Sequence, residues 1–227
     1  MADTVDILTT LQRAFLCAFG ATELRKEFFL TGGTALAHFY LKHRFSEDLD
    51  FFTEIPGAVS RVRPVLAAIA TDLELDVEVH REFESFLEVF LSKGRESIRC
   101  DFALQSPFRL QPVTMNEEFG ILVDNLLDIA CNKLSALFDR HEAKDFVDVY
   151  FLSEEFMPFD ELFSNAQKKH VGMDEYWMAR ALENVFSIEK LPRMIKPIEV
   201  ATLRVFFERQ IASLVQRMAA KEGSASK

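Results

Sequence analysis

Two carboxylates stand two residues apart in Asp48-Leu49-Asp50-Phe51-Phe52. In an extended strand, residues i and i+2 point to the same face. Asp48 and Asp50 would therefore project side by side, while Leu49 and Phe51 turn to the core. Adjacent carboxylates repel unless a cation lies between them. Hard oxygen ligands suit Mg²⁺, which usually also holds substrate phosphates, with Mn²⁺ as the alternative ion. A third acid stands in Ile98-Arg99-Cys100-Asp101-Phe102-Ala103, where Asp101 falls on the face opposite to Ile98, Cys100 and Phe102. Three carboxylates on neighbouring strands can hold two Mg²⁺ ions, one activating an attacking hydroxyl and one steadying a leaving pyrophosphate. Asp101 is also a candidate to take the proton from that hydroxyl. An isolated Asp-X-Asp is more often a solvated strand face, so the surrounding residues decide the matter.

Those surroundings begin with Phe28-Phe29-Leu30-Thr31-Gly32-Gly33-Thr34-Ala35-Leu36. A short apolar run that enters Gly32-Gly33 and then a helix leaves bare backbone N–H groups at a helix start. Phosphates bind such a turn, since no side chain blocks their approach; the plainer reading is a tight turn. Between this turn and the acids lie Arg44 and Ser46, candidates for a phosphate contact or for bracing the loop before Asp48. His38 and His43 are five apart, the wrong spacing for a helical metal pair, and read as structural or exposed. Tyr176 and Trp177 read as packing residues.

A second cluster lies further on. Lys133 and Arg140 are seven apart, hence on one face of a helix. Such a cationic pair facing the carboxylate strand would neutralise a triphosphate and stabilise charge in transfer. Asp145 and Asp148 follow at i and i+3 near a helix start, where acids are favourable in any case. Capping, or pairing with Lys144 and Arg140, would explain the two acids equally well, and a snorkelling surface lysine would explain Lys133.

The elements that must position these groups follow from periodicity. Leu8, Leu11, Phe15 and Phe19 have helical spacing, with Gly20 as a C-cap. Residues 28–30 and 48–52 read as strands, and Ala35 to Leu41 as a helix. Pro56 opens a helix carrying Val59, Val62, Leu66 and Ile69. Three alternating segments follow: Leu73, Leu75, Val77 and Val79; then Leu87, Val89 and Leu91; then Ile98, Cys100, Phe102 and Leu104. The last two read as a hairpin around residues 92–96. Residues 105–119 read as irregular. From about Val123 the pattern is helical, with later helices over 159–170, 174–186 and 197–219. The chain thus divides into an α/β part, 1–115, and an α-helical part, 116–227.

Composition sets limits on function. The 227 residues are 49% hydrophobic and 27% charged, the profile of a folded globular protein. A net charge of -10 disfavours non-specific nucleic-acid binding, which needs Lys and Arg against phosphates, though a local basic cleft remains compatible with it. The three cysteines are too widely spaced for a zinc motif and fit a reducing, cytoplasmic setting. No apolar run approaches the roughly 20 residues of a membrane span, and the acidic N-terminus lacks a signal peptide's basic start. Phe, at 23 residues, reads as core filling.

Gly-Gly, a short helix, Asp-X-Asp and a later strand Asp together resemble the nucleotidyltransferase fold of the DNA polymerase β superfamily. The fuller strings Thr31-Gly32-Gly33-Thr34-Ala35-Leu36 and Arg44-Phe45-Ser46-Glu47-Asp48-Leu49-Asp50-Phe51-Phe52 resemble the AbiEii/MenT-type nucleotidyltransferases, toxins of type IV toxin–antitoxin and abortive-infection systems. Lys133-Leu134-Ser135-Ala136-Leu137-Phe138-Asp139-Arg140 and Lys144-Asp145-Phe146-Val147-Asp148 extend the likeness, which covers residues 28 to 152. Residues 153–227 match only as generic helices. The resemblance implies an α+β fold: a polymerase β-like mixed sheet with flanking helices, then a helical domain contributing Lys133, Lys144 and Asp145 to the cleft. It implies Asp48, Asp50 and Asp101 as metal ligands, with Lys133 completing the catalytic set. Gly32, Gly33, Thr34, Arg44, Ser46, Arg140, Lys144, Asp145 and Asp148 are then nucleotide-binding. The implied reaction moves a nucleoside monophosphate from an NTP to an acceptor hydroxyl, such as an RNA or tRNA 3′ end, and the implied partner is a cognate antitoxin. The alternatives are a small-molecule or protein acceptor, or a non-catalytic binding module on the same scaffold.

Overall fold

The computed structural model describes residues 6–225. The chain divides into two compact units, Met1–Ile129 and Ala130–Lys227. The first is built on a seven-stranded mixed sheet of order β3-β4-β5-β2-β1-β7-β6. Helix α1 (Thr10–Gly20) opens on a capping box, in which Thr9 and Gln12 satisfy each other's backbone N–H groups. Strand β1 (Phe29–Thr31) runs directly into α2 (Gly32–Ala35), which continues as a π-helix over Leu36–Leu41. Strand β2 (Leu49–Thr53) pairs antiparallel with β1. Val59, Val62, Leu66 and Ile69 are buried on a 3₁₀ turn and on α3 (Val62–Leu73).

Strands β3 (Asp76–Phe83), β4 (Phe86–Lys93) and β5 (Glu96–Leu104) form an antiparallel meander, and β5 lies parallel to β2. Strands β6 (Thr114–Asn116) and β7 (Ile121–Val123) close the other side of the sheet, with β7 parallel to β1.

Most of the expected elements are present, and four differ. Pro56 precedes the helical segment instead of opening it, since the 3₁₀ turn starts at Val59. Leu73 ends α3 instead of starting a strand, because the 62-66-69-73 helical spacing includes it. All eight residues of β3 are exposed, so Val77 and Val79 do not line a core. Residues 114–116, within the stretch read as irregular, pair with β7, and the sheet extends to Val123. Residue 115 lies in β6, and the two compact units divide within the helix Leu126–Arg140.

One sheet face is packed with phenylalanine. Phe51 and Phe102, register partners on β2 and β5, stack at 5.2 Å between ring centroids. Phe19 of α1 lies 4.6 Å from Phe51 and 5.8 Å from Phe102, and Phe28 meets Phe102 edge to face at 5.7 Å. All four are fully buried. Because strand side chains alternate, packing these rings on one face turns their sequence neighbours, Asp50 and Asp101, to the other.

The second unit is helical: α4 (Leu126–Arg140) enters it, followed by α5 (Ala143–Glu155), α6 (Phe159–Lys169), α7 (Glu175–Leu182) and α8 (Val200–Ala225). Its core includes Leu134, Leu137, Leu152, Phe163 and an edge-to-face pair of Phe146 with Phe207. Among the described residues no helix is long and apolar enough to cross a membrane.

Candidate active site

Register brings the acids together. Thr31 on β1, Asp50 on β2, Asp101 on β5 and Glu88 on β4 are successive cross-strand partners, so they form one row across one face of the sheet. Asp48 immediately precedes β2 on the side of Asp50. The Asp101 carboxyl is pushed up to about 6, first by burial; Arg99 opposes this, and the charges of Asp50, Glu88 and Asp48 add to it. Its Oδ1 is buried without a hydrogen-bond partner.

The glycine turn serves this row. Gly32 has φ of +72°, a left-handed conformation, and a Cβ there would lie 2.0 Å from Oδ2 of Asp50. The bare backbone thus lets the Asp50 carboxylate approach the turn. Thr34 donates its hydroxyl to the Asp48 carbonyl, and Gly33 and Thr34 are buried. Helix α1 braces the same loop: the buried Gln12 amide donates to the carbonyls of Ser46 and Glu47 at 3.1 and 3.0 Å. Arg44 is buried and donates to the Phe45 carbonyl at 2.9 Å, so in this structure it supports the loop.

Four further side chains complete the surroundings, and none was singled out from the sequence. Arg99 sits two residues before Asp101 and shares its face; its Nη2 donates to Asp48 Oδ2 at 2.6 Å. Glu88 is almost fully buried and is held by Arg81 and His80. A bulge between Val79 and Arg81 brings both of these to Glu88. The hydrogen bond from Arg81, followed by that with His80, holds the Glu88 carboxyl down at about 2 against the effect of burial. Behind the glycine turn, Asp124 is fully buried, accepts the Thr31 hydroxyl at 2.8 Å and pairs with Arg109. Arg109 also lies over the Phe29 ring at 4.4 Å. Period-two alternation carried a signal for Arg99 and Glu88, which flank the apolar positions of their strands. Gln12, also not singled out from the sequence, is a polar residue beside the apolar helical stripe of Leu8, Leu11, Phe15 and Phe19.

The donor set fits a divalent cation in chemistry: oxygen ligands in one row, one of them a buried, unpartnered carboxylate oxygen. As they stand, no three His, Cys, Asp or Glu groups among the described residues are gathered at metal-holding distance. Arg99 engages one of the three expected ligands, Asp48.

In the helical unit the second cluster is tied in pairs. Lys133, buried, bonds Asp148 at 2.8 Å. Arg140 makes a two-pronged contact with the buried Asp145, both bonds at 2.7 Å. Lys144 pairs with Glu142 at 2.9 Å. The pairing reading for Asp145 and Arg140 is therefore realised, and Lys133 is not a surface lysine. His43 is fully buried and His38 half-buried, its pKa lowered by burial. Tyr176 and Trp177, read as packing rather than nucleobase-stacking residues, are exposed and contact each other edge to face at 5.1 Å.

A glycine turn between strand and helix, set beside a strand row of acids, is the arrangement that the resemblance to nucleotidyltransferases implied, and solved structures agree on the fold. A putative nucleotidyltransferase from Helicobacter pylori is 20% identical with a TM-score of 0.60, covering 92% of this chain and 94% of that one. The nucleotidyltransferase toxin MenT4 from Mycobacterium tuberculosis is 16% identical with a TM-score of 0.59, covering 90% and 82%. An uncharacterised protein of Aquifex aeolicus is 29% identical over 198 residues, 84% of this chain and 89% of the relative. The family described as "Nucleotidyl transferase AbiEii toxin, Type IV TA system" matches residues 14–221. The chain belongs to this AbiEii nucleotidyltransferase toxin family, and it is a nucleotidyltransferase.

Proposed function

We propose that the protein is a Mg²⁺-dependent enzyme that moves a nucleoside monophosphate from an NTP to the 3′ hydroxyl of an RNA acceptor, with tRNA as the first candidate. The observation that carries this is the row of Asp50, set against the Gly32 turn, and Asp101 in direct register with it, one Asp101 oxygen being buried without a hydrogen-bond partner. Asp48, Asp50 and Asp101 would hold Mg²⁺, which when bound would neutralise phosphate charge and favour ionisation of the acceptor hydroxyl. The hydroxyl oxygen bonds to the α-phosphorus, the bond to the β-phosphate bridging oxygen breaks, and pyrophosphate leaves. Asp101 is the carboxylate placed to take the hydroxyl proton. Gly32, Gly33 and Thr34 offer backbone N–H groups to phosphate, and Ser46 a hydroxyl. We assign Lys133, paired with Asp148, to stabilising charge during transfer, and Arg140, Lys144, Asp145 and Asp148 to nucleotide binding. Family membership supports a cognate antitoxin as partner.

The test is incubation with α-labelled NTPs, Mg²⁺ and total RNA. Label should enter RNA with the wild type and not with Asp48→Ala. Label entering a protein or a small molecule instead would replace the acceptor and keep the reaction. The acidic charge of the chain is the one feature that favours such a compact acceptor. Absence of any label transfer with all four NTPs would overturn the proposal.

A further inference from the structure

We infer that Arg99 is a resident counter-ion of the acidic row, holding Asp48 until a divalent cation arrives and then passing its charge to Glu88. This rests on the reading that Asp48, Asp50 and Asp101 bind a divalent metal. Arg99 stands among three carboxylates and hydrogen-bonds one. Its Nη2 is 2.6 Å from Asp48 Oδ2. Its Nε lies 3.7 Å from Asp101 Oδ1, and neither of those atoms has a hydrogen-bond partner. Its Nη1 is 4.0 Å from Oε1 of Glu88, while the contacts from His80 and Arg81 fall on the other oxygen, Oε2. The Arg99 side chain is about one-third exposed, although its Nε is buried.

The chemistry gives this arrangement a direction. A guanidinium cannot lose its proton in a protein, so it cannot yield Asp48 by neutralising itself. A metal ion seated on Asp48 Oδ2 competes with Arg99 for that oxygen, and two cations at one carboxylate repel each other. Metal entry at this oxygen therefore drives Arg99 aside, and the displaced cation needs an anion within a short swing. Glu88 is that anion: buried, kept ionised by Arg81 and His80, and already within ion-pair reach. Before metal entry, Arg99 relieves the repulsion among Asp48, Asp101 and Glu88. The consequence is a site with lowered affinity for a bare cation.

The test measures Mn²⁺ binding to the full chain without nucleotide, by the loss of the free-ion electron paramagnetic resonance signal. Wild type, Arg99→Gln, Glu88→Gln and the double variant are compared, with thermal melts to verify folding. Arg99→Gln should tighten Mn²⁺ binding by about tenfold or more, the scale of a lost charge-assisted hydrogen bond. Glu88→Gln should weaken Mn²⁺ binding in the wild type, and most of that loss should vanish in the Arg99→Gln background. Simple charge summation would instead make the Glu88→Gln loss equal in both backgrounds, which would overturn the inference. Unchanged affinity in a folded Arg99→Gln protein would overturn it too, leaving the metal reading intact. No Mn²⁺ bound by any of the four would overturn the metal reading and this inference with it. Should Arg99→Gln fail to fold, Arg99→Lys takes its place. It keeps the charge but lacks the fork that grips a carboxylate, so Mn²⁺ binding should still tighten.

Discussion

Asp101 and Gly32 show how much rests on single atoms. With its pKa raised to about 6, Asp101 binds a proton more readily folded than unfolded. Its contribution to stability is therefore fully present below the unfolded value of about 3.9 and is lost as pH rises through about 6. Metal-free wild type should lose stability over that window relative to Asp101→Asn, in urea melts taken at several pH values; parallel curves would refute the shift. Arg99, Asp50, Glu88 and Asp48 are the charges that face Asp101, and Glu88 titrates lower, near 2, so the two windows separate. At Gly32, an added methyl would meet both a positive φ and the Asp50 carboxylate. Gly32→Ala should cost about 1–3 kcal/mol in stability, the scale of a strained backbone position, and should weaken Mn²⁺ binding by shifting Asp50. A folded Gly32→Ala protein with unchanged Mn²⁺ affinity would leave the turn without this role. The sequence made the acids legible because strand alternation is local. It did not make legible why the turn needs glycine, because the reason is a contact between residues 32 and 50.

Strands β2 and β5 deliver Asp50 and Asp101 to one face because Phe51 and Phe102 stack on the other. Phe51→Ala should cost about 3–5 kcal/mol, the range for a large aromatic deleted from a core, and should impair transfer beyond what the unfolded fraction explains. Denaturant melts and activity per folded molecule measure the two parts. In the helical unit, Lys133→Ala strands the fully buried Asp148 without its cation, which should cost about 3–5 kcal/mol. If Lys133 also stabilises transfer, activity per folded molecule should fall about 100-fold, the scale of a lost electrostatic donor. A loss of stability alone would make the pair structural. Element type was readable where one period dominated, as in α1, β2, β4 and β5. It failed where periods overlapped at Leu73, and where β6 has only three residues amid irregular chain. The exposure of β3 was not readable, because it follows from that strand's edge position in the sheet.

Across the whole chain the net charge is -10, and the proposed function requires an acceptor to be brought to the acids described above. A long RNA held along its backbone would require rows of Lys and Arg. Proteins making about 6–10 phosphate contacts lose about 10³–10⁵ in affinity between 50 and 200 mM salt. An acidic chain has little surface to spare for such rows, so recognition of an RNA should concentrate on its 3′ end, where a few contacts suffice. Two consequences can be measured together with labelled NTP and Mg²⁺. Raising salt from about 50 to 200 mM should lower kcat/KM for a tRNA acceptor by about tenfold or less, corresponding to a few phosphate contacts. A short oligonucleotide or hairpin carrying the same 3′ end should be labelled within about tenfold of the intact tRNA, since the missing body made few contacts. A steep salt dependence, combined with failure of the short acceptor, would show that the RNA body is gripped. Recognition would then have to come from a local basic surface acting against the net charge of the chain.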